Sequence, residues 1–137
     1  MVEKKNSDDS VSYEIGECLN NGELIVLDAT SRRLLQIMMN LYLLKFPIMK
    51  AIRIESFQGN DNASMAAGNT SCFNFRQITS GTIVSIHGYG LAIDLNPIQN
   101  PHVYPFVKKE GTVKILPPQG LNYLNRSNHR LEWLQMM

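Results

Sequence analysis

The chain has little cysteine, no excess of either charge and no long apolar run. Its 137 residues include two cysteines, Cys18 and Cys72, and no Cys-x-x-Cys pair, so the usual spacing of a structural zinc site is missing. Buried free thiols are the simpler interpretation, since a disulfide would require an oxidising compartment. The 13 basic and 12 acidic residues leave a net charge of +1, which indicates no nucleic-acid or membrane-surface partner.

Targeting and membrane signals are also missing from the sequence as it stands. The longest apolar stretch is interrupted by polar residues before it reaches the length of a membrane span, and residues 1–10 have no apolar segment of the kind found in secretion signals. Their polar composition predicts a disordered tail over residues 1–11. Residues 12–137 are long enough for one domain, and a hydrophobic fraction of 44% suffices for one core.

Hydrophobic periodicity and turn residues predict an α+β chain, with a small mixed or antiparallel sheet and a helix packed on one face. The helix is expected over about 31–45, with Asp28 or Thr30 as its cap and Leu34, Met38 and Leu41 on its core-facing stripe. The other predicted elements are a strand pair around the Asn21-Gly22 turn, strands at 48–55, 82–87 and 91–95, a long polar loop at 58–80, a hairpin around Glu110-Gly111 and the start of a helix at 131–137.

His87 and Asp94 are the residues most suited to metal chemistry. A glycine-rich turn follows His87 and reverses the chain, and Asp94 lies a few residues into the next segment. Strand alternation there predicts that Leu91, Ile93 and Leu95 face the core while Asp94 faces the other way. Imidazole and carboxylate are both ordinary zinc ligands, and a carboxylate in an apolar strand needs a partner. We therefore expect the two side chains to approach each other on the open face of the sheet.

The residues around this pair resemble a known signature. Ser85, His87, Gly90, Ala92 and Asp94 follow the pattern Ser-x-His-x-x-Gly-x-Ala-x-Asp. It resembles that of the D-alanyl-D-alanine metallopeptidase family, which includes D,D-carboxypeptidases, vancomycin-resistance dipeptidases and phage L-alanyl-D-glutamate endolysins. The resemblance runs from about residue 22 to residue 127. It extends to Ser64-Met65, Asn69-Thr70-Ser71, Phe73-Asn74, Arg76, Asn96-Pro97 and Asn100-Pro101.

This resemblance implies a hedgehog-like peptidase fold and a zinc-dependent hydrolase of peptidoglycan stem peptides that acts in the periplasm or cell wall. His87 and Asp94 correspond to the first two zinc ligands. Arg76 matches an arginine near the site, where a guanidinium suits a substrate carboxylate or a developing oxyanion; the alternative is an ion pair that orders the long loop. Ser85 is expected to brace His87, or else to bond the backbone of its own turn.

The resemblance is incomplete at the C-terminal end. The family's third ligand is a histidine in an acid-x-x-His motif whose acidic residue is the general base, and the chain shows no such motif. Glu132 begins a similar spacing, but Gln135 stands where the histidine belongs, and nothing around His129 supports it as a ligand. His102 occupies a position that is commonly aromatic, which favours packing. Either the chain is a fragment of an active enzyme, or it is a degenerate member that at most binds peptide. In both cases we expect the 137 residues alone to hydrolyse poorly.

Overall fold

A computed structural model describes residues 2–5, 11–14, 21–78, 81–104 and 114–125. Several predictions concern residues outside these ranges. They include Cys18 and the strand expected around it, the turn at Glu110-Gly111, and the C-terminal stretch with His129, Glu132 and the predicted helix start.

The described residues form helices and two separate antiparallel strand pairs, so the α+β class is confirmed at this coarse level. The regular elements are β1 (Val2–Lys5), β2 (Val11–Glu14), α1 (Asp28–Leu43), α2 (Asp61–Ala66), β3 (His102–Tyr104) and β4 (Lys114–Leu116). β1 pairs with β2 inside and just after the segment predicted as a tail. β3 pairs with β4, with Val103 opposite Ile115, which confirms strands on both sides of the predicted hairpin. Within the described ranges, no helix combines the length and apolar character that crossing a membrane requires.

The long helix α1 starts earlier than predicted and is only partly covered. Its N-cap is Leu27, and the Thr30 hydroxyl donates to the Leu27 carbonyl instead of capping from the side chain. The predicted apolar stripe is half-buried, and no residue of α1 is fully buried. Leu43 and Leu44, at its C-terminal end, are 74% and 76% exposed. The described residues show no extensive packing of α1 against either strand pair, so the expectation of a helix packed on one face of a sheet is not confirmed.

The strand predicted at 48–55 does not form. Residues Ile54–Phe57 form a 3-10 helix, and the extended part makes only one isolated bridge, from Lys50 to Asn69. Side-chain amides replace strand partners here: Met49 N donates to Asn96 Oδ1, and Ile52 N donates to Asn69 Oδ1. Such side chains satisfy backbone groups without a ladder, which explains why the hydrophobic alternation did not produce a regular strand.

The predicted loop at 58–80 contains more structure than its composition indicated. The short helix α2 lies inside it, and the Asn60 side chain accepts from Ala63 N at its start. Asn60 followed by Asp61 is an ordinary helix-start signal. The loop is therefore partly helical, and α2 fixes the position of Asp61.

The buried centre of the described residues is mostly polar. Ile54 and Cys72, at 7% and 5% exposure, make up the buried hydrophobic core there. The buried polar side chains are Ser64, Asn69, Thr70, Ser71, Asn74, Ser85, Asn96 and Gln99. Asn69 shows how such side chains are bonded, since its amide exchanges both hydrogen bonds with Ile52 and also donates to Ser64 Oγ. Gln99 is an exception, because its buried Oε1 has no hydrogen-bond partner among the described residues. Buried amides of this kind stabilise a fold only when fully bonded, and they order the segments around the site.

Candidate metal site

His87 lies in a 3-10 helix, Ile86–Tyr89, rather than at the end of a strand as predicted. The Ser85 hydroxyl caps this helix by accepting from His87 N at 3.4 Å. Gly90 ends it in the left-handed region, with φ 64°. A Cβ at Gly90 would lie 2.7 Å from Leu27 N, and the Gly90 carbonyl accepts from that same nitrogen at 3.1 Å. Only glycine combines this conformation with so close a backbone neighbour.

Asp94 is placed by a pair of backbone hydrogen bonds with Ser71. Ser71 N donates to Asp94 O at 3.1 Å, and Asp94 N donates to Ser71 O at 2.9 Å. Asn74 N, on the same segment as Ser71, donates to His87 O at 3.0 Å. The segment 71–76 therefore bonds to both site-bearing segments, although the predicted strands 82–87 and 91–95 reduce to isolated bridges at Val84 and Asp94.

The side chains of His87 and Asp94 meet, with Nε2 and Oδ2 3.5 Å apart. The other ring nitrogen, Nδ1, lies 2.9 Å from the Cys72 carbonyl oxygen. A carbonyl only accepts, so Nδ1 carries the hydrogen and a neutral ring presents its Nε2 lone pair to the carboxylate. A proton or a metal ion between these two atoms would remove the repulsion of the two lone pairs. The backbone carbonyl thus selects the tautomer that leaves Nε2 free for a metal.

The spacing of the two atoms fits a shared metal better than a direct hydrogen bond. An N–H···O bond is usually 2.7–3.2 Å long. Two ligands at about 2.0–2.2 Å from a tetrahedral zinc lie roughly 3.3–3.6 Å from each other. The 3.5 Å separation falls in that interval. His87 and Asp94 therefore fit two of the corners of a zinc site.

The electrostatics of Asp94 also favour a cation. Burial raises the pKa of the Asp94 carboxyl above its usual 3.8; the nearby His87 opposes this rise, and the negative charge of Asp61 adds to it. Arg76 and then His102 lower the same pKa by smaller amounts. A partly buried carboxylate with a second one nearby carries negative charge that is only partly balanced. A bound metal ion would balance it.

Arg76 lies beside this pair in an ion pair that the sequence had offered as the alternative to a site role. Its Nε is 2.8 Å from Asp61 Oδ2, but Nε has no well-aligned acceptor, so the contact is ionic rather than a good hydrogen bond. Asp61 Oδ1 accepts from Asn74 Nδ2 at 2.8 Å. Arg76 O accepts from Ser85 N at 2.8 Å, which ties the arginine to the segment that bears His87.

The predicted brace of the His87 ring comes from a different residue. The Ser85 hydroxyl bonds the His87 backbone, which is the turn-capping alternative, and the Cys72 carbonyl bonds the ring. Cys72 itself is a buried free thiol. Burial, with a contribution from Asp94, raises the pKa of that thiol to about 11, so it is unsuited to act as a thiolate ligand.

The predicted facing of the segment after the glycine turn is wrong. Leu91 is 50% exposed and Ile93 is 36% exposed, instead of lying in the core. The reason is that this segment pairs only at Asp94, so no continuous strand presents one face to the centre.

An open groove of about 350 Å³ adjoins Asp94. Its lining residues are Ile93, Asp94, Leu95, Pro97 and Asn100. This volume is at the lower end of the range for small-ligand sites. A second concavity, near Cys72, holds about 10 Å³, which leaves room for one water at most. Of these two concavities, only the groove beside Asp94 is large enough for a small ligand.

A third ligand does not join the pair within the part of the chain that the structure describes. No group of three His, Cys, Asp or Glu side chains there is arranged to hold a metal ion. His102 is exposed on β3 and packs edge-on against Tyr104, with ring centroids 4.3 Å apart, in line with a packing role. His129 and Glu132 lie outside the described residues.

Sequence reasoning missed two groups of the site. Asp61 was not singled out, although the helix-start signal at Asn60-Asp61 marks its local structure. The Cys72 carbonyl carried no signal at all, because every residue has a backbone carbonyl.

Comparisons with protein-family models, curated proteins and solved structures found no match to this chain.

Proposed function

We propose that this chain forms the two-ligand part of a zinc site in a hedgehog-like peptidase domain that acts on peptidoglycan stem peptides. The observation that carries the proposal is the pairing of His87 Nε2 with Asp94 Oδ2 at 3.5 Å, with Nδ1 turned to the Cys72 carbonyl. The signature around these residues supports the substrate class, which includes D,D-carboxypeptidase and L-alanyl-D-glutamate endopeptidase substrates.

Each residue of the proposed site has a distinct role. His87 and Asp94 hold the metal, and the groove along Ile93–Leu95 receives the peptide. Zinc at such a site supplies a Lewis acid that lowers the pKa of water. Arg76, tied by its backbone to Ser85, offers a planar guanidinium to a peptide carboxylate. The Cys72 carbonyl keeps the His87 ring in its ligand tautomer.

A non-catalytic peptide-binding domain is the second candidate. The observation in its favour is the missing third ligand among the described residues. Two protein ligands hold zinc weakly, and catalytic zinc sites generally have three. In that case the groove and Arg76 retain a peptide without hydrolysing it.

Calorimetric titration with zinc tests the metal site. We expect weak binding by the 137-residue chain and a loss of at least tenfold in affinity in both His87→Ala and Asp94→Asn, because each removes one of two ligands. Asp28→Asn is the matched control, since it removes one carboxylate from the exposed first turn of α1. Equal affinity in the wild type and His87→Ala would show that the metal site is elsewhere or absent.

Peptide binding and hydrolysis separate the two candidates. Release of D-alanine, or cleavage at L-alanyl-D-glutamate, from muropeptides with added zinc would support the enzyme. Saturable binding of the same muropeptides without turnover would support the binding domain. Turnover that is unaffected by His87→Ala would contradict both, because it would place the chemistry away from this site.

A further inference from the structure

Asp61 contacts the guanidinium of Arg76 at its Nε edge. Asp61 Oδ2 contacts Arg76 at Nε, and Asp61 Oδ1 accepts from Asn74 Nδ2, both at 2.8 Å. Both carboxylate oxygens are thus engaged, and the side chains of Asp61 and Arg76 are 19% and 26% exposed. The Asn74 hydrogen bond orients the Asp61 carboxylate, and the contact of that carboxylate with Arg76 Nε is a close ion pair rather than an aligned hydrogen bond.

The outer edge of the guanidinium is held much more loosely. Nη1 makes a long bond of 3.4 Å to the Gln77 carbonyl. A guanidinium presents its donors in a fixed fork, so an anchor at Nε fixes the direction of the Nη edge as well. A carboxylate accepts two parallel N–H bonds from such an edge.

The backbone of the segment that carries Arg76 is bonded to the turn that carries His87. Arg76 O accepts from Ser85 N, and Asn74 N donates to His87 O. The residues on either side of the Arg76 anchor are therefore bonded to the turn that carries His87. The charge of Arg76 also opposes the rise that burial causes in the pKa of the Asp94 carboxyl, so the guanidinium lies near enough to the pair to act on it.

We propose that Asp61 is a positioning residue, which fixes Arg76 so that its Nη edge receives a carboxylate of the peptide ligand. The proposal rests on the proposed function, because it takes the peptide of that site as its ligand. The new element is a structural reason for the site to prefer a peptide with a free carboxylate. Asn74 contributes by donating a hydrogen bond to Asp61. Asp61 itself affects ligand binding only through its contact with Arg76.

A purely electrostatic role for Asp61 predicts the opposite sign. If Asp61 only neutralises Arg76, removing its charge increases the attraction of the site for an anion. If Asp61 positions Arg76, removing its charge releases the guanidinium and weakens the recognition of a carboxylate. Asp61→Asn keeps the shape of the side chain and distinguishes the two.

The experiment measures binding of N-acetylated L-Lys-D-Ala-D-Ala and its C-terminal amide by NMR titration of the full chain, without metal. The quantity compared is the ratio of the two dissociation constants. For the wild type we expect the free carboxylate to bind about tenfold more tightly than the amide, as for a charge-assisted hydrogen bond. Asp61→Asn is expected to bring the ratio close to one, as is Arg76→Met. Asp28→Asn is the control for loss of one carboxylate at a helix start and should leave the ratio unchanged.

Asp61→Glu keeps the test decisive if Asp61→Asn does not fold. It retains the charge but moves the anchor by one methylene, so an intermediate ratio is expected. A ratio that rises or stays constant in the Asp61 variants, or a wild type without preference, would overturn the proposal. The ratio is measured without metal, so a failed zinc titration together with a ratio that responds to Asp61→Asn counts against the metal site alone.

Discussion

Gly90→Ala is the substitution for which the structure gives the clearest magnitude. Gly90 has φ 64°, and a Cβ there would lie 2.7 Å from Leu27 N and 3.0 Å from the Val26 carbonyl carbon and Cα. An alanine in the left-handed region costs about 1–2 kcal/mol. Forcing the backbone apart adds about 1–3 kcal/mol, and a weakened Leu27 N–Gly90 O bond adds about 1 kcal/mol. The expected loss in the free energy of unfolding is about 3–6 kcal/mol.

Gly59→Ala is the matched control for this prediction. Gly59 has φ 73°, but no atom lies within 4 Å of its added Cβ. It therefore isolates the backbone cost, about 1–2 kcal/mol. Urea unfolding of both variants gives the difference between their free energies of unfolding, provided that the two transitions have the same m-value. We expect Gly90→Ala to be about 2–4 kcal/mol less stable than Gly59→Ala. A difference under about 0.5 kcal/mol, the size of ordinary surface effects, would refute the close approach of residues 26 and 27 to the turn.

Three further predictions follow from the site. In a Cys18→Ser background, iodoacetamide at pH 8 should modify Cys72 at least about 100-fold more slowly in the folded chain than in the urea-unfolded chain. The reason is that burial raises the pKa of the Cys72 thiol from 9.0 to about 11. Equal rates in the two states would contradict the burial of Cys72. The raised pKa of Asp94 means that the folded state binds more protons than the unfolded chain between pH 3.8 and that higher pKa, so this contribution to stability falls as the pH rises through the window. Asp94→Asn should therefore flatten that part of the pH dependence in urea unfolding, and an unchanged slope would count against the burial of the carboxylate. The 137-residue chain with added zinc should release D-alanine from muropeptides slowly or not at all, since a positioned acid–base group is worth about a hundred- to ten-thousand-fold in rate; rapid release abolished by Glu132→Gln would show that the C-terminal stretch supplies the base.

The meeting of His87 and Asp94 was predictable, but the path between them was not. The glycine turn and the types of the two residues led to the expectation of an approach. The strands expected on either side were wrong, because alternation in Leu91 and Ile93 does not show whether a partner strand is present. Pairing depends on residues distant in the chain, such as Ser71, that carry no local signal.

The sequence also did not predict which side chains would bond backbone groups in place of a neighbouring strand. Asn69 and Asn96 bond backbone groups of Ile52 and Met49, and the composition around Asn69 had predicted only a polar loop at 58–80. The ion pair of Asp61 with Arg76 joins residues that are 15 positions apart. No periodicity links such positions, so only the folded chain reveals the anchor of the arginine.

The most direct test of the account is the state of the His87 ring during a zinc titration. Long-range ¹H–¹⁵N NMR spectra distinguish the two ring nitrogens and report which of them carries hydrogen. The account predicts a metal-free neutral ring with hydrogen on Nδ1, the atom that bonds the Cys72 carbonyl. It further predicts that zinc shifts Nε2 selectively and that the shift disappears in Asp94→Asn. A ring protonated at Nε2 alone, or zinc-induced shifts confined to another histidine, would contradict the claim that His87 and Asp94 form a metal site.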